Sequence, residues 1–303
     1  MDRPIILVIA ILVLLGNAGC SVKNMATNAV ADAMAGSGDV YGADNDVAFV
    51  GEASPFGLKM MESLLEEVPK HRGLLLASAR GFTQYAYAYI EQPANELEEK
   101  DVNAAYLERD RARRMYIRAR NYGVRGLAVG HPEVNEKILI HPEAAFSEMR
   151  VEDVPLLYWT AAAWASAISL GKDDAALVAD LPVVAALILR AYELDESFNE
   201  GAIHSFLISY EMSKPGANQE NVKTAREYFE HAVSNSNNTQ AAPYLSLAEA
   251  VSIFNQDRKE FELLLKQALA IDVAAKPEQR LANLVMQRRA RWLLKNSDNY
   301  FLE

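Results

Sequence analysis

Apolar residues recur at three- and four-residue spacing through most of this chain, the period of a helix with one buried face. Between Ser54 and Pro69 they fall at Leu58, Met61, Leu64, Leu65 and Val68. Ser54 followed by Pro55 reads as a cap and a proline in the first helical position, so a helix is expected to begin there. Residues 71–90 predict a long apolar helix with Phe82, Tyr85 and Tyr89 on one stripe. Residues 103–122 predict another, closed by Gly123 as a C-cap. The most apolar stretch is 156–170, where Trp159 and Trp164 stand among alanines. Further helices are expected through Ala191, over 197–213, through Ala225, over 242–254 and 257–270, and from Pro277 to Leu294. Residues 92–100 read as a charged insertion, and 123–150 as an interruption rich in glycine and proline. Only 137–140 carries a mild strand pattern, so the fold class is all-α.

Small residues repeat within this helical pattern. Ala112 and Ala119 are seven apart, as are Ala225 and Ala232, and the tails Leu189 to Glu196 and Lys266 to Asp272 resemble each other. Alanine at such positions lets two helix backbones approach. Taking Ala119, Ala191, Ala232 and Ala268 as equivalent, the separations are 72, 41 and 36 residues, and the first is two units of 36. That period lies near the tetratricopeptide length. The expected architecture is a tetratricopeptide-like (TPR-like) solenoid of helical hairpins.

Composition narrows the partners. Half of the 303 residues are apolar, enough for a core, and a solenoid can extend along one axis without splitting into domains. The net charge of −11 leaves no basic footprint for a nucleic-acid backbone. The N-terminus differs from the rest: Arg3 precedes eleven consecutive apolar residues, Ile5 to Leu15, then Gly16-Asn17-Ala18-Gly19-Cys20. That run is too short to span a bilayer and suits a signal peptide. Cys20, the single cysteine, follows Ala-Gly as in a bacterial lipobox, although Asn17 stands where leucine is usual. The expectation is a lipoprotein signal peptide over 1–19, a lipidated Cys20 with a flexible tether over 20–46 that is at most partly helical between Met25 and Met34, and a helical domain over 47–303. Ser21 after the cysteine resembles an outer-membrane sorting signal, which places the chain in the periplasm.

Catalytic chemistry is not legible in the sequence. No two of the five histidines have the i, i+4 spacing of a helical metal site. His131 and His141 each precede proline, which favours extended loop backbone. Gly123, Gly126 and Gly130 are not followed by the lysine and hydroxyl of a phosphate loop. No catalytic residue, metal ligand or cofactor is therefore expected, and the protein is read as a non-enzyme. The aromatic stripes Phe82, Tyr85, Tyr89 and Trp159, Trp164 either pack the core or line a groove, since tyrosine and tryptophan carry polar tips.

The segment Gly73-Leu74-Leu75-Leu76-Ala77-Ser78-Ala79-Arg80-Gly81-Phe82-Thr83-Gln84-Tyr85-Ala86-Tyr87-Ala88 resembles the TatT family, TPR-like lipoproteins that accompany TRAP transporters. Leu157 to Trp164, Asp195 to His204 and Arg280-Leu281-Ala282-Asn283 are similar to the same family, over about residues 46–301. Gly216-Ala217-Asn218 departs from the Gly-Gly-Pro usual there. The resemblance implies a periplasmic homotrimer with a pore through each protomer. It also implies docking of a TRAP-type substrate-binding protein and handling of a small hydrophobic or organic-acid ligand. On that reading the five aromatic residues are the candidates for the lining of the passage. The competing expectation is a general TPR-like scaffold for envelope assembly, without ligand passage.

Overall fold

The computed structural model describes residues 23–302 and is all-helical; among those residues there is no strand. The principal helices are α1 (Val47–Glu67), α2 (Arg72–Ala86), α3 (Val102–Gly130), α4 (Val154–Leu170), α5 (Leu181–Leu194), α6 (Phe198–Ser213), α7 (Gln219–Asn235), α8 (Ala242–Leu247), α9 (Arg258–Ala270) and α10 (Arg280–Lys295). Consecutive helices pack as antiparallel hairpins, most extensively α3 on α4, α2 on α3 and α6 on α7. Alternate helices also touch, α2 with α4 and α6 with α8.

The alanine register places its members at these contacts. Ala112, Ala119, Ala191, Ala225, Ala232 and Ala268 all have zero exposure. Two glycines do the same between α3 and α4. A Cβ at Gly123 would lie 2.1 Å from Thr160 Oγ1, and one at Gly126 would lie 2.6 Å from Leu156 Cδ2. Gly123 is therefore a point of close approach inside the helix rather than its C-cap, and α3 runs on to a cap at His131.

Other boundaries also move. α1 begins at Val47, capped by the Asp46 side chain, which accepts from Phe49 N at 3.0 Å. Pro55 thus lies inside the helix, and Ser54 Oγ donates back to the Val50 carbonyl. The stretch expected as a flexible tether is helical over 23–35 and again over Gly38–Gly42. Ala31 in it is fully buried and packs with Met61, Leu65 and Leu74, which gives that segment an apolar anchor. The mild strand pattern at 137–140 is overridden by a helical turn, Val134–Lys137, and the charged 92–100 segment is helical over Gln92–Leu97. Cys20 and the signal peptide over 1–19 lie outside the described residues.

Two large apolar clusters follow one another along the stack. The first runs from Ala86 on α2 to Leu207 on α6, and the second from Ile208 on α6 to Leu293 on α10. Between α5 and the body of α6 the backbone turns left-handed at Asn199, Glu200 and Gly201. Gly201, with φ of 93°, sits where a Cβ would be 3.0 Å from Ala232 Cα.

The stack closes on itself. Arg280 Nη1 donates to the Ala43 carbonyl at 2.9 Å, and Arg288 Nη2 reaches Glu96 Oε1 at 2.9 Å. Asn299 Nδ2 donates to Glu99 Oε1, and the Tyr87 hydroxyl lies 3.7 Å from Met286 Sδ. The C-terminal region is thereby held against the N-terminal segment and the extension of α2.

Candidate functional site

Between the joined ends lies a partly open cavity of about 370 Å³, walled by the inner helix of each hairpin and by α10. The extension of α2 contributes Tyr87, Glu91, Gln92 and Asn95; α4 and α6 contribute Ser169 and Ser209; α8 and its extension contribute Leu245, Ser246 and Glu249; α10 contributes Met286 and Arg289.

Two π turns shape this wall. The first, Tyr87–Glu91, continues α2, with Gln92 N–H donating to the Tyr87 carbonyl, five residues back. Its sequence cause is Pro93, which has no N–H for the Tyr89 carbonyl and whose ring opposes that carbonyl. The second, Ala248–Ser252, continues α8, with Ile253 N–H donating to the Ala248 carbonyl at 3.3 Å. Single π turns of this kind are frequent at functional sites. Here one carries Tyr87 and Glu91 into the cavity and the other carries Glu249.

The polar groups are unevenly satisfied. Arg289 gives Nη2 and Nε to Glu249 Oε1, at 2.5 and 3.2 Å, and its guanidinium lies 4.8 Å from the Trp292 ring. Its Nη1 is buried and has no hydrogen-bond partner. Burial alone would lower its pKa, but the Glu249 carboxylate outweighs that and holds it protonated. The Glu91 carboxylate accepts from the Tyr116 hydroxyl. Burial nonetheless pushes its pKa above the usual range, against the opposing effects of Tyr116 and Arg289. Gln92 is 2% exposed, and neither Nε2 nor Oε1 has a hydrogen-bond partner. Tyr87 lies beside it, within reach of the Gln92 side chain, and its hydroxyl donates to Met286 Sδ. Asn95 is already engaged, its Oδ1 accepting from Arg109 Nε and Nη2, and Arg109 Nη1 reaches Glu98.

None of the five aromatic residues singled out in the sequence lines this cavity. Phe82 is 3% exposed and stacks on Tyr122 at 5.8 Å, between α2 and α3. Tyr85 and Tyr89 are half-buried and face each other at 5.5 Å, with Tyr89 against Gly51 of α1. Trp164 is buried, donates Nε1 to Asp180 Oδ2 at 3.1 Å and lies under the Arg120 guanidinium. Trp159 is half-buried and meets Tyr158 edge to face. The stripe on α2 faces α1 and α3, and the inward face belongs to Tyr87 and Glu91 of the π turn and to Gln92 and Asn95 after it. Glu91-Gln92 immediately before Pro93 was the one local signal for them. Glu249, Met286 and Arg289 carried none, because they reach the cavity only by closure.

The histidines before proline have structural roles or none. His131 Nε2 lies 3.1 Å from Asp153 Oδ2, a buried carboxylate that also pairs with Arg72 and accepts from Arg150 N. His141 is exposed. Among the described residues no group of three or more His, Cys, Asp or Glu side chains is placed to hold a metal ion.

Among the described residues the molecule is an all-helical stack around a cavity walled by polar and apolar side chains. The chain belongs to the TRAP transporter T-component family, whose profile matches residues 43–301. It is also 28% identical over 304 residues to an uncharacterized protein of Treponema pallidum (strain Nichols), a match that covers 94% of each chain.

Proposed function

We propose that this protein is a periplasmic, lipid-anchored accessory component of a TRAP-type transport system. It docks a TRAP substrate-binding protein and holds or passes a small ligand through its central cavity. It is a TPR-like solenoid and assembles as a homotrimer. The observation that carries the ligand role is the cavity of about 370 Å³, walled by Tyr87, Glu91, Leu245, Glu249, Met286 and Arg289. Family membership supports the transport assignment. A net charge of −11 suits a partner surface with a basic patch, so association is steered electrostatically and weakens with salt.

The test is direct association of the mature chain, residues 21–303, with the TRAP substrate-binding protein encoded in the same genome. Calorimetry should report binding at micromolar concentration that weakens as salt rises, and sedimentation should report a trimer. No association at that concentration would leave the scaffold without ligand passage as the better reading.

A further inference from the structure

Lys23, the first described residue, marks one end of the molecule. Its Nζ donates to Glu67 Oε2 at the close of α1, at 2.8 Å. Arg125 Nη2, late in α3, donates to the Pro69 carbonyl, and Arg72 Nη2 at the start of α2 donates to the Glu152 carbonyl just before α4. The connection from α3 to α4 therefore lies at the same end as Lys23. Cys20 is three residues before Lys23 in sequence, a span of at most about 10 Å.

That end carries apolar side chains which no other described residue covers. Val134, Ile138, Phe146 and Met149 are buried in the first apolar cluster and fix the connection to the body. The turn they hold leaves Leu139 64% and Ile140 70% exposed, side by side. Met25, two residues after Lys23, is 69% exposed, and Val151 is exposed as well. Grouped apolar side chains of this kind mark a contact surface. The exposed charges of the connection are Glu136, Glu143, Glu148 and Glu152 against Lys137 and Arg150, an acidic excess that gives anionic headgroups no hold. The exposed Phe56 and Phe49 of α1 stand well away, about 16 and 27 Å along the helix from Glu67.

We propose that this end faces the membrane, with Leu139, Ile140 and Met25 seated in the interfacial layer of a zwitterionic bilayer. The proposal rests on the reading of Cys20 as the lipid anchor. Insertion of three side chains is weak by itself, but an anchor so near makes it an intramolecular step with a high effective concentration. The connection then serves as a foot that fixes how the stack stands on the bilayer.

Cys20 is the single cysteine, so the unlipidated chain 20–303 can be coupled through its thiol to a maleimide-bearing phospholipid in phosphatidylcholine vesicles. Tryptophan at Ile140 or at Leu139 reports contact: with brominated acyl chains either variant should lose emission beyond the uncoupled, vesicle-free control and beyond the parent chain. Phe56→Trp should match the parent, and adding phosphatidylglycerol should not strengthen the quenching of Ile140→Trp. Quenching of Phe56→Trp equal to or above that of Ile140→Trp overturns the proposal, as does no quenching at both 139 and 140. A blue shift at 140 without quenching, the result of a second copy covering the tip, overturns it too. Coupling imposes the anchor chemically, so such a result defeats the surface alone, while anchoring in the cell is read from the fractionation of Cys20→Ser.

Discussion

At Ala119, Ala191 and Ala232 a methyl group fills all the space between facing helices. Ala119 packs with Leu58, Phe82 and Ala163, and Ala232 lies where Gly201 passes with no room for a Cβ. Phenylalanine at any of the three is expected to overpack its contact and cost about 1–3 kcal/mol or more, read as a fall in the thermal midpoint. His204 makes a different case. It is 1% exposed, stacks on His231 at 5.2 Å and is edged by Tyr192 and Tyr228, with Glu196 nearby. Neither ring nitrogen completes a hydrogen bond. Burial, and then the neighbouring His231, lower its pKa from the usual 6.5, outweighing Glu196. The unfolded chain therefore binds the proton more readily than the folded one. The stability this site contributes is whole above the unfolded value and is lost as pH falls below it. Urea midpoints measured from neutral to mildly acidic pH should decline, and His204→Phe should flatten that decline relative to the wild type.

Within α10 two adjacent arginines close the stack in unlike ways. Arg288 reaches Glu96 with both side chains about one-third exposed, so Arg288→Ala is expected to cost under about 1 kcal/mol and to be masked by salt. Arg289 is 13% exposed and bound to Glu249 inside the cavity wall. Arg289→Ala strands that carboxylate and is expected to cost about 2 kcal/mol or more, with less dependence on salt. Denaturant midpoints of the two variants at low and high salt check the contrast; equal costs would put Arg289 at the surface. The π turns act at this same scale. One extra residue in a helical turn rotates everything after it by about 100° around the helix axis. Phe82 and Tyr85 precede that turn and face the neighbouring hairpin helices, whereas Glu91 and Gln92 face the cavity.

On the scale of the whole molecule, two successive apolar clusters meet at α6, and contacts between residues about 200 apart in sequence join the ends. Those joining contacts are few, polar and partly exposed, while the hairpins beneath them are apolar. The proposed membrane attachment rests on Cys20 alone, as the single cysteine after Ala18-Gly19. Cys20→Ser is expected to move the protein from the membrane to the soluble periplasmic fraction. Retention of the variant with membranes at the wild-type level would assign the anchor elsewhere.

The sequence by itself determined the helices, their order and their contact points, because apolar periodicity and buried alanines are local properties of one or two turns. It also carried the family, through segments such as Gly73 to Ala88 spread over most of the chain. Helix ends were less legible: Gly123 looked like a terminus because its close approach to Thr160 involves a residue 37 positions away. The cavity was decided only by the tertiary structure. Its wall depends on the rotation introduced at the π turn before Pro93 and on the cumulative turn of successive hairpins, which brings Met286 of α10 to Tyr87. A helix pattern records which face is apolar, but it does not record which distant helix will cover that face or what space will remain between them.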